Sequence, residues 1–146
     1  MTIRYFALTI GIIYLFLGAL GFFSGVVAEP LIDAPPMAAD TGYGYLFGLF
    51  PVNVLHNVVH LTVGIFGLIA YRGLAESMRF ARGLAMAFAV LAVLGVLPWA
   101  STAFGLIPLF GPNVWLHALT AAAAAYFGYS RAIDGVPVEL APRRAT

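Results

Sequence analysis

Three histidines are the side chains in this 146-residue sequence with the clearest capacity for chemistry. His56 and His60 are four residues apart, so on a helix they project from one face, and His117 lies in a second apolar stretch. Imidazole nitrogens bind Zn, Cu and Fe, and three of them form a ligand set that these metals accept. The histidines therefore predict a metal site, or a haem ligated by one histidine from each stretch.

Amide and hydroxyl side chains accompany the histidines. This supporting polar layer consists of Asn53, Asn57, Asn113 and Thr120. Such groups can hydrogen-bond the ring nitrogen that does not bind the metal and so orient the imidazole. Together with the histidines, they can equally hydrogen-bond across a helical bundle and lock it without any ligand. The sequence favours this locking role and leaves a metal ion or a haem as the alternative cofactor.

The helices that carry these side chains are predicted from spacing. In residues 51–71, polar and small residues recur every three or four positions and share one stripe, as they do in residues 113–130. A polar group left unpaired in hydrocarbon costs several kcal/mol, so both stripes must face inward. The first stripe is Asn53, His56, Asn57, His60, Gly64, Gly67 and Tyr71; the second is Asn113, His117, Thr120, Ala121, Ala124 and Gly128.

Composition predicts an all-α integral membrane protein, a four-helix bundle. The chain is 62% hydrophobic and 9% charged, with a mean hydropathy of +0.98, which leaves too few polar residues to cover a soluble globule. Residues 1–131 form the predicted four-span domain, and the polar residues 132–146 form a disordered cytoplasmic tail. The spans are residues 5–28, 51–71, 83–103 and 113–130, each near the roughly 20 residues that cross a bilayer.

Arginines predict the topology, because the chain has seven of them and no lysine. Basic residues favour the cytoplasmic side, so both termini and the loop between the second and third spans are expected in the cytoplasm. Residues 29–50 and 104–112 then face outward, with residues 42–50 forming an aromatic belt or a short in-plane helix. The arginines are Arg4, Arg72, Arg79, Arg82, Arg131, Arg143 and Arg144. This distribution indicates a lipid bilayer as partner rather than nucleic acid, and a homo-oligomer or a larger membrane complex remains open.

An internal repeat divides the chain. With a shift of 60 positions, residues 46–54 align with residues 106–114, and a histidine follows in each copy. Each half is then a hairpin of two spans, and an even number of spans per half predicts parallel repeats.

The motifs LHNVVHL at residues 55–61 and NVWLH at residues 113–117 resemble a known family. The chain is similar to the small bacterial four-span membrane proteins catalogued as a domain of unknown function, number 4383. That resemblance implies a four-helix bundle in the bacterial inner membrane, and it brings no activity with it.

Enzyme chemistry finds little support in the sequence. Cysteine is absent, no span carries a pair of carboxylates, and no glycine-rich phosphate loop precedes a helix. The predicted function is a structural or accessory membrane subunit whose His/Asn layer locks the helices. The alternative is a small metal- or haem-binding protein with its three-histidine site near the outer face.

Overall fold

A computed structural model describes residues 2–130 of the chain. It is a fold of four helices with a small sheet at one end: α1 (Ile3–Leu20), β1 (Val27–Ala28), β2 (Gly44–Leu46), β3 (Phe50–Val52), α2 (Val54–Ala70), α3 (Leu74–Val96) and α4 (Pro112–Tyr129). The predicted disordered tail, residues 132–146, lies outside the described residues.

The helices pack as two pairs, α1 with α2 and α3 with α4, and the pairs contact each other less extensively. Small residues allow the close approach within the first pair, because a Cβ on Gly67 would lie 2.7 Å from the Cα of Gly11. Side chains such as Ile3, Phe6 and Phe88 fill the apolar core between the pairs.

The helix limits differ from the predicted span limits at two places. Helix α1 ends at Leu20 rather than near residue 28, and Gly21 caps it, so Gly21 and Gly25 do not form a helical packing motif. Helix α3 begins at Leu74, nine residues before the predicted span, and ends at Val96. Its end precedes Pro98, whose ring disfavours helical backbone at the preceding residue. Arg79 and Arg82 therefore lie on α3 and not in a loop.

The outer segment of residues 42–50 forms strands rather than the short helix that the sequence left open. Strand β2 pairs antiparallel with both β1 and β3, and the turn between β2 and β3 places Phe47 and Gly48 at φ of 55° and 68°. Positive φ at consecutive turn residues is typical of tight hairpins. Pro51 occupies edge strand β3, where its missing N–H costs no ladder bond on the open side.

Two of the four helices, α1 and α3, are long and apolar enough to cross a membrane. Helix α2 is also apolar but has 17 residues. Helix α4 has 18 residues and carries Asn113, His117 and Thr120, which lower its hydropathy.

Candidate metal centre

The three predicted histidines lie together inside the bundle. Asn53 caps α2 by accepting a hydrogen bond from the backbone N–H of His56 at 2.9 Å, which fixes the helix start and places His56 and His60 on the inner face. His117 enters from α4. The ring centroids of His56 and His60 are 4.3 Å apart, and those of His56 and His117 are 5.9 Å apart. All three side chains are buried.

The ligand atoms of this histidine triad, His56, His60 and His117, converge. One nitrogen from each ring lies within 4.8 Å of the other two. Ligands at 2.0–2.1 Å from a tetrahedral Zn²⁺ stand about 3.3 Å apart. To bind a metal ion in that geometry, the three nitrogens would have to approach to about this separation.

The imidazole nitrogens lack hydrogen-bond partners among residues 2–130. These are Nδ1 of His56 and both ring nitrogens of His60 and His117. A buried polar atom left unpaired costs about 1–3 kcal/mol, and native interiors leave few of them. Five such atoms lie in one buried layer, so the protein groups among residues 2–130 leave the hydrogen-bonding capacity of the triad largely unused.

Two asparagines do bond, but to backbone rather than to imidazole. Asn53 donates from Nδ2 to the carbonyls of Ala39 at 2.8 Å and Leu106 at 2.7 Å. Asn113 donates from Nδ2 to the carbonyls of Pro51 at 2.6 Å and Pro108 at 2.9 Å. Asn53 thus reaches the loop that leads into α4, and Asn113 reaches strand β3, which leads into α2. We call this pair the asparagine clamp; it joins α2 and α4 at their N-terminal ends.

The other members of the polar layer also find partners away from the triad. Asn57 donates from Nδ2 to the carbonyl of Gly21 at 2.8 Å, and the hydroxyls of Thr120 and Tyr14 share a 2.8 Å hydrogen bond. The Oδ1 atoms of Asn57 and Asn113 have no partner among residues 2–130. Each of these two oxygens can still accept a hydrogen bond.

Aromatic rings enclose the triad. Tyr14 stands edge-on to His60 with centroids 4.9 Å apart, and Phe88 stands edge-on to His117 at 5.3 Å. Both aromatic side chains are almost fully buried. A porphyrin is a large planar macrocycle that would have to displace these rings, whereas a single ion needs only the space between the imidazoles. The geometry therefore favours an ion over a haem.

A separate cavity of about 290 Å³ opens at the outer end of the bundle, between the end of α1 and the sheet. Glu29, Thr41 and Tyr43 contribute to its lining. Burial raises the pKa of Tyr43 to about 12, so its hydroxyl stays protonated and donates to the carbonyl of Pro35. The histidines do not line this cavity.

Two turns share a sequence pattern that the internal alignment at a shift of 60 positions does not pair. Residues 47–51 read FGLFP and residues 104–108 read FGLIP, 57 positions apart. Both phenylalanines are exposed at positive φ, 55° at Phe47 and 60° at Phe104. Asn113 bonds the proline carbonyl of each turn. Matching Phe-Gly pairs in the sequence could have identified these turns, because glycine favours the left-handed conformation.

The sequence matches the family described as domain of unknown function (DUF4383) over residues 4–130. The chain belongs to this family. The match includes all four helices, the asparagine clamp and the histidine triad, so these features lie within the family's domain. No curated protein and no solved structure matches the chain.

Proposed function

We propose that this DUF4383 protein is a four-span protein of the bacterial inner membrane that binds one transition-metal ion through His56, His60 and His117. The observation that carries the proposal is the buried histidine triad, whose convergent nitrogens are left unpaired while neighbouring asparagines are hydrogen-bonded.

The distribution of side chains supports four membrane crossings. All four helices expose large apolar side chains while the polar layer is buried, for example Phe16 on α1, Phe66 on α2, Val90 on α3 and Leu119 on α4. A soluble monomer rarely exposes contiguous apolar patches of this extent. Lipid is the environment in which this arrangement is favourable.

Matching contacts at one end of the bundle support the repeat and the cytoplasmic termini. Arg4, at the start of α1, donates from Nε to the carbonyl of Tyr71 at the end of α2, at 2.9 Å. Arg82, on α3, likewise donates from Nε to the carbonyl of Gly128 near the end of α4, at 2.7 Å. Each guanidinium also lies over a tyrosine ring, that of Tyr71 or Tyr129. Arginines on this end fit the cytoplasmic side.

The hydrogen bonds also separate the asparagines from the histidines, although the sequence assigned helix locking to both. The asparagine clamp supplies direct locking of the helices, and Tyr14–Thr120 adds a second bond. Histidines that served only to lock helices would be expected to bond other groups, yet five of the six ring nitrogens have no hydrogen-bond partner among the described residues. This favours a ligand role for the triad over the purely structural or accessory role.

Metal analysis of the purified protein tests the proposal. The protein is produced with a tag that contains no histidine, extracted in detergent, and offered Zn²⁺, Co²⁺, Cu²⁺ and, with ascorbate, Cu⁺. We expect one ion per chain for at least one metal, and loss of that ion in His60→Leu and His117→Leu.

The matched control is Thr62→Val, on the exposed face of α2 two residues from His60. It keeps the metal if the triad is the site. A parent that retains none of these ions, and whose histidine variants stay folded with little loss of stability, would leave the structural-subunit function in its place.

A further inference from the structure

No carboxylate in the described part of the chain is buried with the histidine triad. Every carboxylate in residues 2–130 is solvent-exposed: Glu29, Asp33, Asp40 and Glu76. The polar groups beside the triad are amides and hydroxyls, and the nearest rings are those of Tyr14 and Phe88. Three imidazoles in their ligating form are neutral, so the site itself offers an ion no compensating charge.

An uncompensated charge inside a bundle is costly, and the electrostatic cost of moving an ion out of water grows with the square of its charge. A divalent ion on three neutral nitrogens keeps its full double charge unless it brings an anion. Zinc on three histidines obtains an anion from its bound water, which ionises readily to hydroxide. Such a ligand needs a fourth position, and here Tyr14 and Phe88 pack against two of the three imidazoles.

A monovalent ion carries a quarter of that electrostatic cost. Cu⁺ has a filled d shell, as Zn²⁺ has, and it accepts three neutral nitrogens without a fourth ligand. Imidazole is a suitable copper ligand. Resting on the metal-binding function proposed above, we propose that the histidine triad selects monovalent copper over divalent metals.

Competition titrations test this selectivity on the full-length protein in detergent, with a tag free of histidine. Cu⁺ is measured anaerobically against bicinchoninate with ascorbate present, and Zn²⁺ against a chromophoric zinc chelator. We expect a Kd for Cu⁺ that is lower than the Kd for Zn²⁺ by a factor of at least about 100, since a ligand set without charge penalises the dication.

A charge-supplying variant tests the reason for the selectivity. His60→Asp adds a carboxylate to the triad, which should raise the affinity for Zn²⁺ by at least about 100-fold relative to the parent and reduce the preference for Cu⁺. His117→Asp makes the same test from α4 if His60→Asp does not give a monodisperse protein. Thr62→Val should leave both affinities within about threefold of the parent, as expected for an exposed site.

The outcomes separate the two proposals. Zn²⁺ or Co²⁺ bound as tightly as Cu⁺ would overturn the selectivity while leaving the metal site in place. Failure of the parent to bind any of the ions would overturn both.

Discussion

At the scale of single residues, Asn113 is one of the two asparagines that join α2 and α4. Its Nδ2 bonds the carbonyl of Pro51, in strand β3 just before α2, and that of Pro108, in the loop before α4. Asn113→Asp keeps the size of the side chain but removes the donor and turns an oxygen toward two carbonyl oxygens. We expect the free energy of unfolding to fall by about 2–4 kcal/mol, because the two buried carbonyl oxygens lose their donor and are repelled by the new carboxylate oxygen. Thermal unfolding in detergent measures it, and a melting temperature equal to that of the parent would contradict the clamp.

The Tyr14–Thr120 bond is a milder test at the same scale. Tyr14→Phe removes the hydroxyl from a 2.8 Å hydrogen bond but keeps the ring that packs against His60. Hydrogen bonds between membrane helices contribute about 0.6 kcal/mol on average, so the stability should fall by about that amount. Metal stoichiometry should be unchanged, because the hydroxyl is not among the ligands. A variant that folds normally but loses its metal would place the Tyr14 hydroxyl in the site.

At the scale of helices, glycines distinguish the tight α1–α2 contact from the open face of α3. A methyl group on Gly67 would lie 2.7 Å from the Cα of Gly11, where backbone faces backbone and cannot give way. Gly67→Ala should therefore destabilise the fold by about 1–3 kcal/mol, as overpacking does. Gly83→Ala is the matched control, because Gly83 is helical and a Cβ there meets nothing within 4 Å. It should be neutral or stabilise the protein by up to about 1 kcal/mol. Equal melting temperatures for the two variants would contradict the close approach.

At the scale of the whole molecule, the proposed topology predicts one orientation of the chain in the membrane, from the arginine contacts and the loop charges. A reporter fused after Arg144 should be cytoplasmic, and one inserted beside Pro35 should be on the outer side, because arginine-rich segments resist translocation. Alkaline phosphatase and green fluorescent protein fusions read the two compartments. An outward C-terminus in the parent would overturn this orientation.

The depth of the outer turns gives a second prediction at this scale. Trp99 is exposed, and its ring centroid lies 6.3 Å from that of the exposed Phe104. Trp and aromatic residues favour the membrane interface, so Trp99 should contact lipid near the head groups. In Trp115→Phe, Trp99 is the sole tryptophan, and lipids brominated near the head-group end of the acyl chain should quench it more than lipids brominated near the chain end. Quenching by aqueous iodide alone would place this turn in water.

The sequence by itself determined which faces are buried. The residues of the predicted stripes are buried on α2 and α4 except for Tyr71, which is half-buried at the end of α2, because hydrocarbon excludes unpaired polar groups and a helix repeats every 3.6 residues. The sequence also predicted that His56, His60 and His117 lie in one layer. It could not predict the hydrogen-bond partners of the asparagines, because Asn113 bonds a carbonyl 62 residues away and Asn53 bonds one 53 residues away. Such partners are created when loops from both halves fold over the helix ends. Only the tertiary structure therefore decided that the asparagines join the two helices through backbone carbonyls and that five histidine nitrogens have no hydrogen-bond partner among residues 2–130.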